Sequence, residues 1–346
     1  MPSQTLNMKF MWLNAENLFL LSDQVLTAQH LKLDEVQWQK LSTSIFDNKP
    51  LQKAKHLAKI ILDKAPDVIA LCEVGGIESL KNFNSLFLGD TYSPALIEGN
   101  SDRNIDLGFL IKRDVPYYFD IASNRNRLLN FLYPHERENL EVPDVGKAGK
   151  TSHKFSRDVV ELHLFKKDRE KPFLVILAAH LKSRLDPEGI DPYGFQRRQA
   201  EMKALLEVYD ELQLRFKRSI PVIIAGDLNG NASSQETDQE FKALHSTDLK
   251  DVGELAQFPL DKRSTYYQIS RNNRPEPKQL DYCLLSAQAQ PLLDLNSIDF
   301  YRYKDHLGQA MDPPTSLDAK LNLPSDHYPI YFELKNIVLS PGGSSR

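Results

Sequence analysis

Short apolar runs, separated by polar or proline-containing segments, recur along the chain. Runs of about four to eight residues rich in Val, Ile, Leu and Phe are typical of buried β-strands. The predicted strands are MKFMWL at 8–13, DVIALCE at 67–73, LGFLIK at 107–112, DVVELHLF at 158–165, FLVILAAHL at 173–181, PVIIAG at 221–226, QLDYCLLS at 279–286 and HYPIYFEL at 327–334. Two segments predict helices instead, an amphipathic one over 51–64 and a long one over about 195–217.

Strands dominate this pattern, and the helices intervene irregularly, with connections of varied length. That arrangement favours an α/β or α+β sandwich over a regular eight-fold βα barrel. No break in composition forces a domain boundary, so we expect a single domain over residues 1–338. Polar segments near 121–157 and 182–194 are predicted to be insertions, and the tail 339–346 is predicted to be disordered.

Composition and charge exclude several classes of protein. The chain has 43 Lys and Arg against 47 Asp and Glu, a net charge of −4, which excludes a uniformly basic nucleic-acid coat but not a local basic groove. Its two cysteines, Cys72 and Cys283, lie in apolar runs, which excludes a disulfide scaffold and a cysteine-based zinc site. No run approaches the roughly 18 apolar residues of a membrane span. The N-terminus lacks the order of a signal peptide, so we expect a cytoplasmic protein without a membrane span.

Polar residues that are costly to bury follow or precede several of the predicted strands. They are Asn14, Glu16, Glu73, His180, Asp227, Asn229, Asp281, Asp326 and His327. In a sheet of mixed strand directions, all of them can meet on one rim. Carboxylates gathered there repel one another unless a cation lies among them. Oxygen ligands with few nitrogens and no thiolates suit Mg²⁺, or Mn²⁺ in its place, better than zinc.

Taken singly, each of these residues also has an ordinary structural explanation. Asn229-Gly230 is a common turn pair, and Ser325-Asp326 fits local turn chemistry. Glu73 fits a solvated loop acid, and His180 a hydrogen-bonded core histidine. Their joint occurrence at strand ends is what favours a functional site.

Six segments together resemble the endonuclease/exonuclease/phosphatase superfamily, the group of deoxyribonuclease I, exonuclease III, inositol polyphosphate 5-phosphatases and neutral sphingomyelinases. They are LNAENLF, PDVIALCEV, AHLKS, IIAGDLNG, LDYCLL and SDHYPI, in the family's order. The resemblance implies a deoxyribonuclease I-like fold, a four-layer αββα sandwich with two central mixed β-sheets. It also implies one active site at the rim that the two sheets share.

The resemblance implies a metal-binding role for four residues. Glu73 matches the family's central metal-binding glutamate, and Glu16 falls where some members place a second metal-site acid. Asn14 matches the asparagine near the first strand, which also contacts the phosphate. Asp326 matches the acid before the family's histidine.

The resemblance also implies catalytic roles. His327 oriented by Asp281 is one candidate for the base that activates water, and Asp227 is the other, in which case His327 contacts the phosphate. Asn229 completes the GDxN pair. His180 matches the deoxyribonuclease-like and phosphatase-like branches, which speaks against abasic-site repair. Like Asn14 and Asn229, it would hydrogen-bond the scissile phosphate or fix the neighbours of that phosphate.

Arg157 matches the family's phosphate-contacting arginine, and Lys182 is a further candidate phosphate contact. These two belong to a possible phosphate-backbone track that also includes Lys147, Lys150, Lys154, Arg184, Arg197 and Arg198. Interleaved aromatic residues could stack nucleic-acid bases, namely Phe131, Tyr133, Phe155 and Tyr193. Alternatively, the basic residues are merely solvated, diluted by nearby acids, and the aromatic residues pack the insertion.

The favoured function at this point is a Mg²⁺-dependent nuclease that cleaves phosphodiester bonds of nucleic acid without sequence specificity. The alternative is a phosphodiesterase or phosphatase for a small-molecule or lipid-headgroup phosphoester. A catalytically silent binding protein on the same fold is the third hypothesis.

Overall fold

A computed structural model describes residues 4–138, 152–166, 171–270 and 272–339. Its first sheet contains β1 (Thr5–Leu18), β2 (Val68–Val74), β3 (Tyr92–Leu96), β4 (Asp106–Lys112), β13 (Asp299–Phe300) and β14 (Ile330–Val338). The strand order is β13-β14-β1-β2-β4-β3. β1 and β2 are parallel and the other pairs are antiparallel, so the sheet is mixed.

The second sheet also has six strands. They are β5 (Tyr118–Ser123), β6 (Val159–Phe165), β7 (Leu174–His180), β8 (Val222–Asp227), β9 (Lys250–Asp251) and β12 (Asp281–Leu285). The order is β5-β6-β7-β8-β12-β9, with β7 and β8 parallel. A separate antiparallel hairpin consists of β10 (Tyr266–Ile269) and β11 (Pro275–Lys278).

Three longer helices cover the outer faces of the sheets. The helices in the described ranges are α1 (Glu35–Gln39), α2 (Leu51–Lys64), α3 (Gly76–Leu88), α4 (Pro134–Glu138), α5 (Phe195–Arg215), α6 (Val252–Leu255), α7 (Leu260–Arg263) and α8 (Leu317–Leu321). α2 and α3 pack on the first sheet, and α5 packs on the second. The two sheets face each other across a shared core. The predicted four-layer αββα sandwich with two central mixed sheets is confirmed.

Alternation along β1 shows why these strands are apolar throughout. Phe10 and Trp12 point into the core between the sheets, whereas Met11 and Leu13 point toward α2 and α3. Both faces of the strand are therefore buried, and burying each large apolar side chain contributes about 1.5–3 kcal/mol. Strands covered on both sides need apolar residues at every position, which the sequence pattern reflects.

The element predictions differ from the structure mainly at their ends. The helix predicted over 51–64 is confirmed as α2, which ends at Lys64 and is followed by Ala65 at a φ of +45°. β1 continues past its apolar run to Leu18, because its ladder with β2 resumes there after an irregularity at Glu16 and Asn17, both at positive φ. α3 was not predicted, although Leu80, Phe83 and Phe87 recur on its buried face at helical spacing.

The insertion predicted near 121–157 is partly ordered structure. It begins inside β5, contains α4 and closes with a bridge between Leu128 and Lys154. Residues 139–151 and 340–346, which include most of the predicted tail, lie outside the described residues. Within the described residues, no helix has the length and apolar character needed to cross a membrane.

Candidate active site

Strand ends from both sheets meet at one edge of the sandwich. In the first sheet, Asn14 of β1 lies beside the end of β2, which carries Glu73. In the second, His180 at the end of β7 pairs with Asp227 at the end of β8, and Asp281 at the start of β12 pairs with the same Asp227. β12 runs antiparallel to β8, so its first residue lies level with the last residue of β8. The structure thus brings these five residues to one rim.

His327, just before β14, is held by a carboxylate from the opposite sheet. Its Nδ1 lies 2.6 Å from Oδ2 of Asp281. The other carboxylate oxygen of Asp281 accepts a hydrogen bond of 2.7 Å from the indole nitrogen of Trp12. All three side chains are buried. The imidazole orientation is therefore fixed at Nδ1, and sequence reasoning assigned no role to Trp12.

Asp227 lies on the other side of the His327 ring. Its Oδ2 accepts a hydrogen bond of 3.2 Å from the side-chain amide of Asn14, and lies 3.9 Å from Nε2 of His327 and 3.8 Å from Nε2 of His180. Its Oδ1 accepts a hydrogen bond of 2.9 Å from the backbone N–H of Asn229. The Asn229 side chain donates to the Leu181 carbonyl, so it shapes the turn around Asp227. Asp227, Asp281 and His327 offer ligand atoms within 4.8 Å of one another.

Electrostatics in this buried cluster perturb its pKa values. Burial opposes protonation of His327, but the negative charges of Asp281, Asp227 and Asp326 raise the pKa of His327 well above its usual value. Burial also raises the pKa of Asp227, although the positive charge of His327 opposes it. Burial, with Arg157 nearby, lowers the pKa of His180 far below its usual value, so His180 is neutral. Shifts of this kind are common where protons are transferred.

An open cavity of about 610 Å³ gives access to these residues. Arg157 and His180 line it, and both are more than nine-tenths buried. Nε of Arg157 and Nδ1 of His180 have no hydrogen-bond partner among the described residues, although buried polar groups are normally paired. One Nη of Arg157 donates to the Ser156 hydroxyl at 3.2 Å. Two unsatisfied nitrogen-bearing groups beside one cavity fit an anionic ligand.

Glu73 is the acid in this cavity best placed to hold a cation. Its carboxylate accepts a hydrogen bond of 3.1 Å from the backbone N–H of Asn17, and no Lys, Arg or His of the described residues pairs with it. Both oxygens of Asp281, in contrast, already accept hydrogen bonds. The negative charge of Glu73 is a minor cause of the raised pKa of Asp227. Glu73, with Asp227, would offer carboxylate oxygens to a divalent cation, the ligands that hard cations prefer.

The two other acids predicted at the metal site are paired with lysines. Oε2 of Glu16 lies 2.9 Å from Nζ of Lys53 and 3.4 Å from Nζ of Lys49. Asp326 pairs with Lys320 at 3.4 Å. Burial lowers the pKa of Lys49 to about 8, with Glu16 opposing that shift. The negative charges of Glu16 and Asp326 are thus already compensated by ammonium groups.

Lys182 does not line the cavity that holds Glu73 and His327. Its Nζ donates to carbonyl groups of its own loop, at 3.3 Å to Ser183 and 2.5 Å to Leu185. The prediction that Lys182 contacts substrate phosphate together with Arg157 therefore has no geometric support. The reason is local, because the 182–185 turn folds its carbonyl groups back onto the ammonium group.

Most cations of the predicted phosphate track are also engaged within the protein. Arg198 is buried against Glu240 at 2.5 Å, and Arg197 pairs with Glu201 at 3.3 Å. Arg184 pairs with Asp238 at 2.8 Å, and Lys154 donates to Asn126. Lys147 and Lys150 lie outside the described residues. A continuous track of unpaired cations is not present in the described parts of the chain.

Three of the four aromatic candidates for base stacking pack the insertion instead. Phe131 and Tyr133 form an edge contact with ring centroids 4.9 Å apart, and Phe155 is buried. Tyr193 is exposed, at a positive φ of 61°. A different aromatic residue reaches the site, since the Tyr266 ring lies 5.1 Å from that of His327. Tyr266 lies on β10, a hairpin that sequence analysis did not predict.

Comparison with known proteins points to one family. A model described as the endonuclease/exonuclease/phosphatase family matches residues 36–327. No curated protein sequence matches the chain.

Solved structures share the fold at low sequence identity. A Bacteroides thetaiotaomicron protein of the endonuclease/exonuclease/phosphatase family is 15% identical with a TM-score of 0.55, covering 96% of this chain and 99% of that one. The catalytic domain of human nocturnin, solved with a bound sulfate anion, is 17% identical with a TM-score of 0.53, covering 96% and 95%. A mannosyl-6-phosphatase of Bacteroides thetaiotaomicron is 16% identical with a TM-score of 0.52, covering 94% and 99%.

Proposed function

The chain belongs to the endonuclease/exonuclease/phosphatase family, and on that premise we propose that it hydrolyses phosphoester bonds with the help of a divalent cation. The observation that carries the proposal is the shared cavity in which Arg157 and His180, each with an unsatisfied ring or guanidinium nitrogen, lie beside the Asp227–His327 pair. Phosphoester hydrolysis requires a site that binds the anionic phosphoryl group and a pair of residues that transfers a proton. The bound sulfate of nocturnin supports an anion site on this fold.

Arg157 and His180 would bind the scissile phosphoryl group. The Arg157 guanidinium is a permanent cation whose Nε–H is free to donate, which suits a phosphoryl oxygen. His180 is neutral, so one of its ring nitrogens also carries a proton to donate. Because both side chains are buried, their orientation is set before substrate arrives, which favours binding of the charge that develops in the transition state.

Water activation would fall to the pair formed by His327 and Asp227. Nε2 of His327 and Oδ2 of Asp227 are 3.9 Å apart, so one water can contact both. Asp281 holds Nδ1 of the ring and so directs Nε2 toward the cavity. Because the neighbouring carboxylates raise the pKa of His327 well above its usual value, the proton of the attacking water would pass to Oδ2 of Asp227 while the ring is protonated, and to Nε2 only while the ring is neutral. These are the two bases that the sequence left open.

Glu73, with Asp227, would hold the cation, for which Mg²⁺ is the expected ion and Mn²⁺ a substitute. When bound there, a divalent cation supplies Lewis-acid stabilisation of charge on the phosphoryl and leaving-group oxygens. Asn14 would keep the Asp227 carboxylate in place through its 3.2 Å hydrogen bond.

The charge around the cavity favours a low-molecular-weight phosphoester. Its lining has four cationic side chains, Arg103, Arg157, Arg184 and Lys278, and five acidic ones, Glu73, Asp227, Glu236, Asp238 and Asp326. A groove for a polynucleotide backbone needs an excess of unpaired cations. The mannosyl-6-phosphatase on the same fold is compatible with a small substrate. Nuclease activity is the second candidate, favoured by Arg103, a lining cation whose guanidinium donates to the Asn17 side chain at 2.7 Å and pairs with no carboxylate of the described residues.

The test compares p-nitrophenyl phosphate, bis(p-nitrophenyl) phosphate and plasmid DNA as substrates, with Mg²⁺, with Mn²⁺ and with chelator. We expect metal-dependent turnover that falls at least 100-fold in Glu73→Gln and in His327→Gln. Glu78→Gln and His56→Gln are matched controls, because both residues lie on helix surfaces away from the cavity. Turnover that survives chelator and both site variants would refute the proposal.

Salt dependence separates the two substrate classes. Hydrolysis of a small ester should change little between 50 and 200 mM salt, whereas polynucleotide cleavage should weaken by orders of magnitude over roughly that range. Efficient, salt-sensitive nicking of plasmid DNA would favour the nuclease.

A further inference from the structure

Trp12 makes a hydrogen bond that crosses from one sheet to the other and ends at the proposed reacting centre. Its indole nitrogen donates to Oδ1 of Asp281 at 2.7 Å, although the two residues are 269 positions apart in sequence. Trp12 is 0% exposed and Asp281 1% exposed. A charged acceptor in a dry interior makes such a bond stronger than one at the surface.

The bond completes the set of contacts that define the Asp281 carboxylate. Oδ1 accepts from Trp12, and Oδ2 faces Nδ1 of His327 at 2.6 Å. The backbone N–H of Asp281 donates to the Thr265 hydroxyl at 3.0 Å. The terminal torsion of an aspartate is broad on its own, so the two side-chain contacts are what select one rotation of this carboxylate.

We propose that Trp12 is a positioning residue for the Asp281–His327 pair. By holding Oδ1, the indole turns Oδ2 toward the imidazole and thereby directs Nε2 of His327 toward Asp227. Trp12 touches neither the cavity nor the substrate site, and it acts only through Asp281. The expected effect of Trp12 on kcat rests on the proposed hydrolysis, whereas its effect on the orientation of Asp281 and His327 does not.

The position of Trp12 in β1 explains how a core residue comes to serve the site. Phe10, Trp12 and Asn14 alternate along β1 and point toward the second sheet. Phe10 fills the core, Asn14 contacts Asp227, and Trp12 lies between them at the level of Asp281. A phenylalanine at position 12 would fill most of the same volume but could not donate a hydrogen bond.

The chain supplies its own matched control. Its only other tryptophan, Trp38, is equally buried, and its indole nitrogen donates to the backbone carbonyl of Lys49 at 2.9 Å. Trp38→Phe therefore removes an indole and a buried hydrogen bond of similar length. It leaves Asp281 untouched.

The first experiment is NMR of the two indole N–H groups and of the His327 ring in the full chain. Trp12→Phe and Trp38→Phe assign the indole signals. We expect Asp281→Asn to move the Trp12 indole signal and leave that of Trp38 in place. Trp12→Phe should shift or broaden the His327 Nδ1 resonance, whereas Trp38→Phe should not. An unmoved His327 resonance in Trp12→Phe would overturn the proposal even if the protein has no phosphoesterase activity.

The second experiment is kinetic. We expect Trp12→Phe to lower kcat on the aryl phosphoester about 10- to 100-fold with KM changed less than two-fold, and Trp38→Phe to change neither. In the Asp281→Asn background, Trp12→Phe should have no further effect on kcat, because the carboxylate it positions is gone. Multiplicative losses in the double variant would mean that Trp12 contributes packing alone.

A shape-preserving replacement covers the case in which Trp12→Phe does not fold. In the Trp38→Phe background, incorporation of β-(3-benzothienyl)alanine in place of tryptophan exchanges only the indole N–H of residue 12 for sulfur. The positioning role predicts the same loss of kcat and the same shift at His327. A retained kcat and an unshifted ring would reject it.

Discussion

Oε2 of Glu16 lies 2.9 Å from Nζ of Lys53, and Nζ of the buried Lys49 approaches the same oxygen at 3.4 Å. The second acid that the sequence predicts at the metal site is thereby neutralised by two lysines. Glu73, on the neighbouring strand β2, has no such partner among the described residues. The two glutamates are therefore expected to respond differently to the same substitution.

Calorimetric titration with Mg²⁺ or Mn²⁺ measures that difference. We expect Glu73→Gln to weaken binding of the metal at least 10-fold, because it removes an uncompensated carboxylate ligand. Glu16→Gln should change the metal affinity less than three-fold and leave the stoichiometry at one. Loss of a second equivalent of metal in Glu16→Gln would instead place Glu16 among the metal ligands.

Arg157 and Arg184 both line the cavity but differ in their partners. Within the described parts of the chain, Nε of the buried Arg157 has no partner, whereas Arg184 pairs with Asp238 at 2.8 Å and is half exposed. We expect Arg157→Met to lower kcat/KM for the aryl phosphoester about 100-fold or more, and to weaken inhibition by inorganic phosphate similarly. Arg184→Met should change both less than five-fold. Equal losses in the two variants would contradict a specific phosphoryl contact at Arg157.

Asp251 should make stability depend on pH. It is fully buried, and burial raises its pKa from 3.8 to about 6, although the hydrogen bond from Gln279 opposes the shift. Between those values the folded protein holds more protons than the unfolded chain, so the free energy of unfolding falls as pH rises and levels off above about pH 6. A shift of this size corresponds to a loss of about 3 kcal/mol across the window.

Urea unfolding at pH 4.5 and pH 7 tests this dependence by comparison with Asp251→Asn. The variant loses hydrogen-bond acceptors and should be less stable overall, but it cannot ionise. Between the two pH values, the free energy of unfolding should therefore fall less in the variant than in the wild type. Identical pH dependence in both proteins would exclude Asp251 as its source.

Gly226, one residue before Asp227, lies where two strands approach closely. A Cβ atom there would lie 2.6 Å from the carbonyl oxygen of Ala179 on β7, a separation that real Cβ atoms do not adopt. Gly226→Ala should force β7 and β8 apart, lower the free energy of unfolding by about 1–3 kcal/mol, and move Asp227 away from His180. We therefore expect a loss of activity as well as stability.

Val222→Ala at the other end of β8 provides the control for that variant. It removes buried apolar volume far along the strand from Asp227, so stability should fall without a comparable loss of kcat. Denaturant unfolding and steady-state kinetics on both variants make the comparison. Full activity in Gly226→Ala would show that the spacing of β7 and β8 does not set the geometry of the site.

The sequence by itself determined eight of the strands, the helix α2, and the residues that occupy the strand ends. These are local properties, since doubly buried strands need unbroken apolar runs and a helix needs its apolar residues three and four positions apart. The motifs around Glu73, Asp227 and His327 then sufficed to predict the sandwich and its shared rim. α3 carried the same kind of local pattern and was simply not identified.

Only the tertiary structure decided which of these residues are free to act. Lys49 and Lys53 neutralise Glu16 from a segment more than thirty positions away, and Trp12 reaches Asp281 across 269 positions. Lys182 satisfies its own loop instead of the cavity. Partner choice depends on how two sheets and their loops pack, and on which charges that packing removes from water. Residue type and spacing along the chain show neither this packing nor which charges it removes from water. The partner of each charged group could therefore be identified only in the tertiary structure.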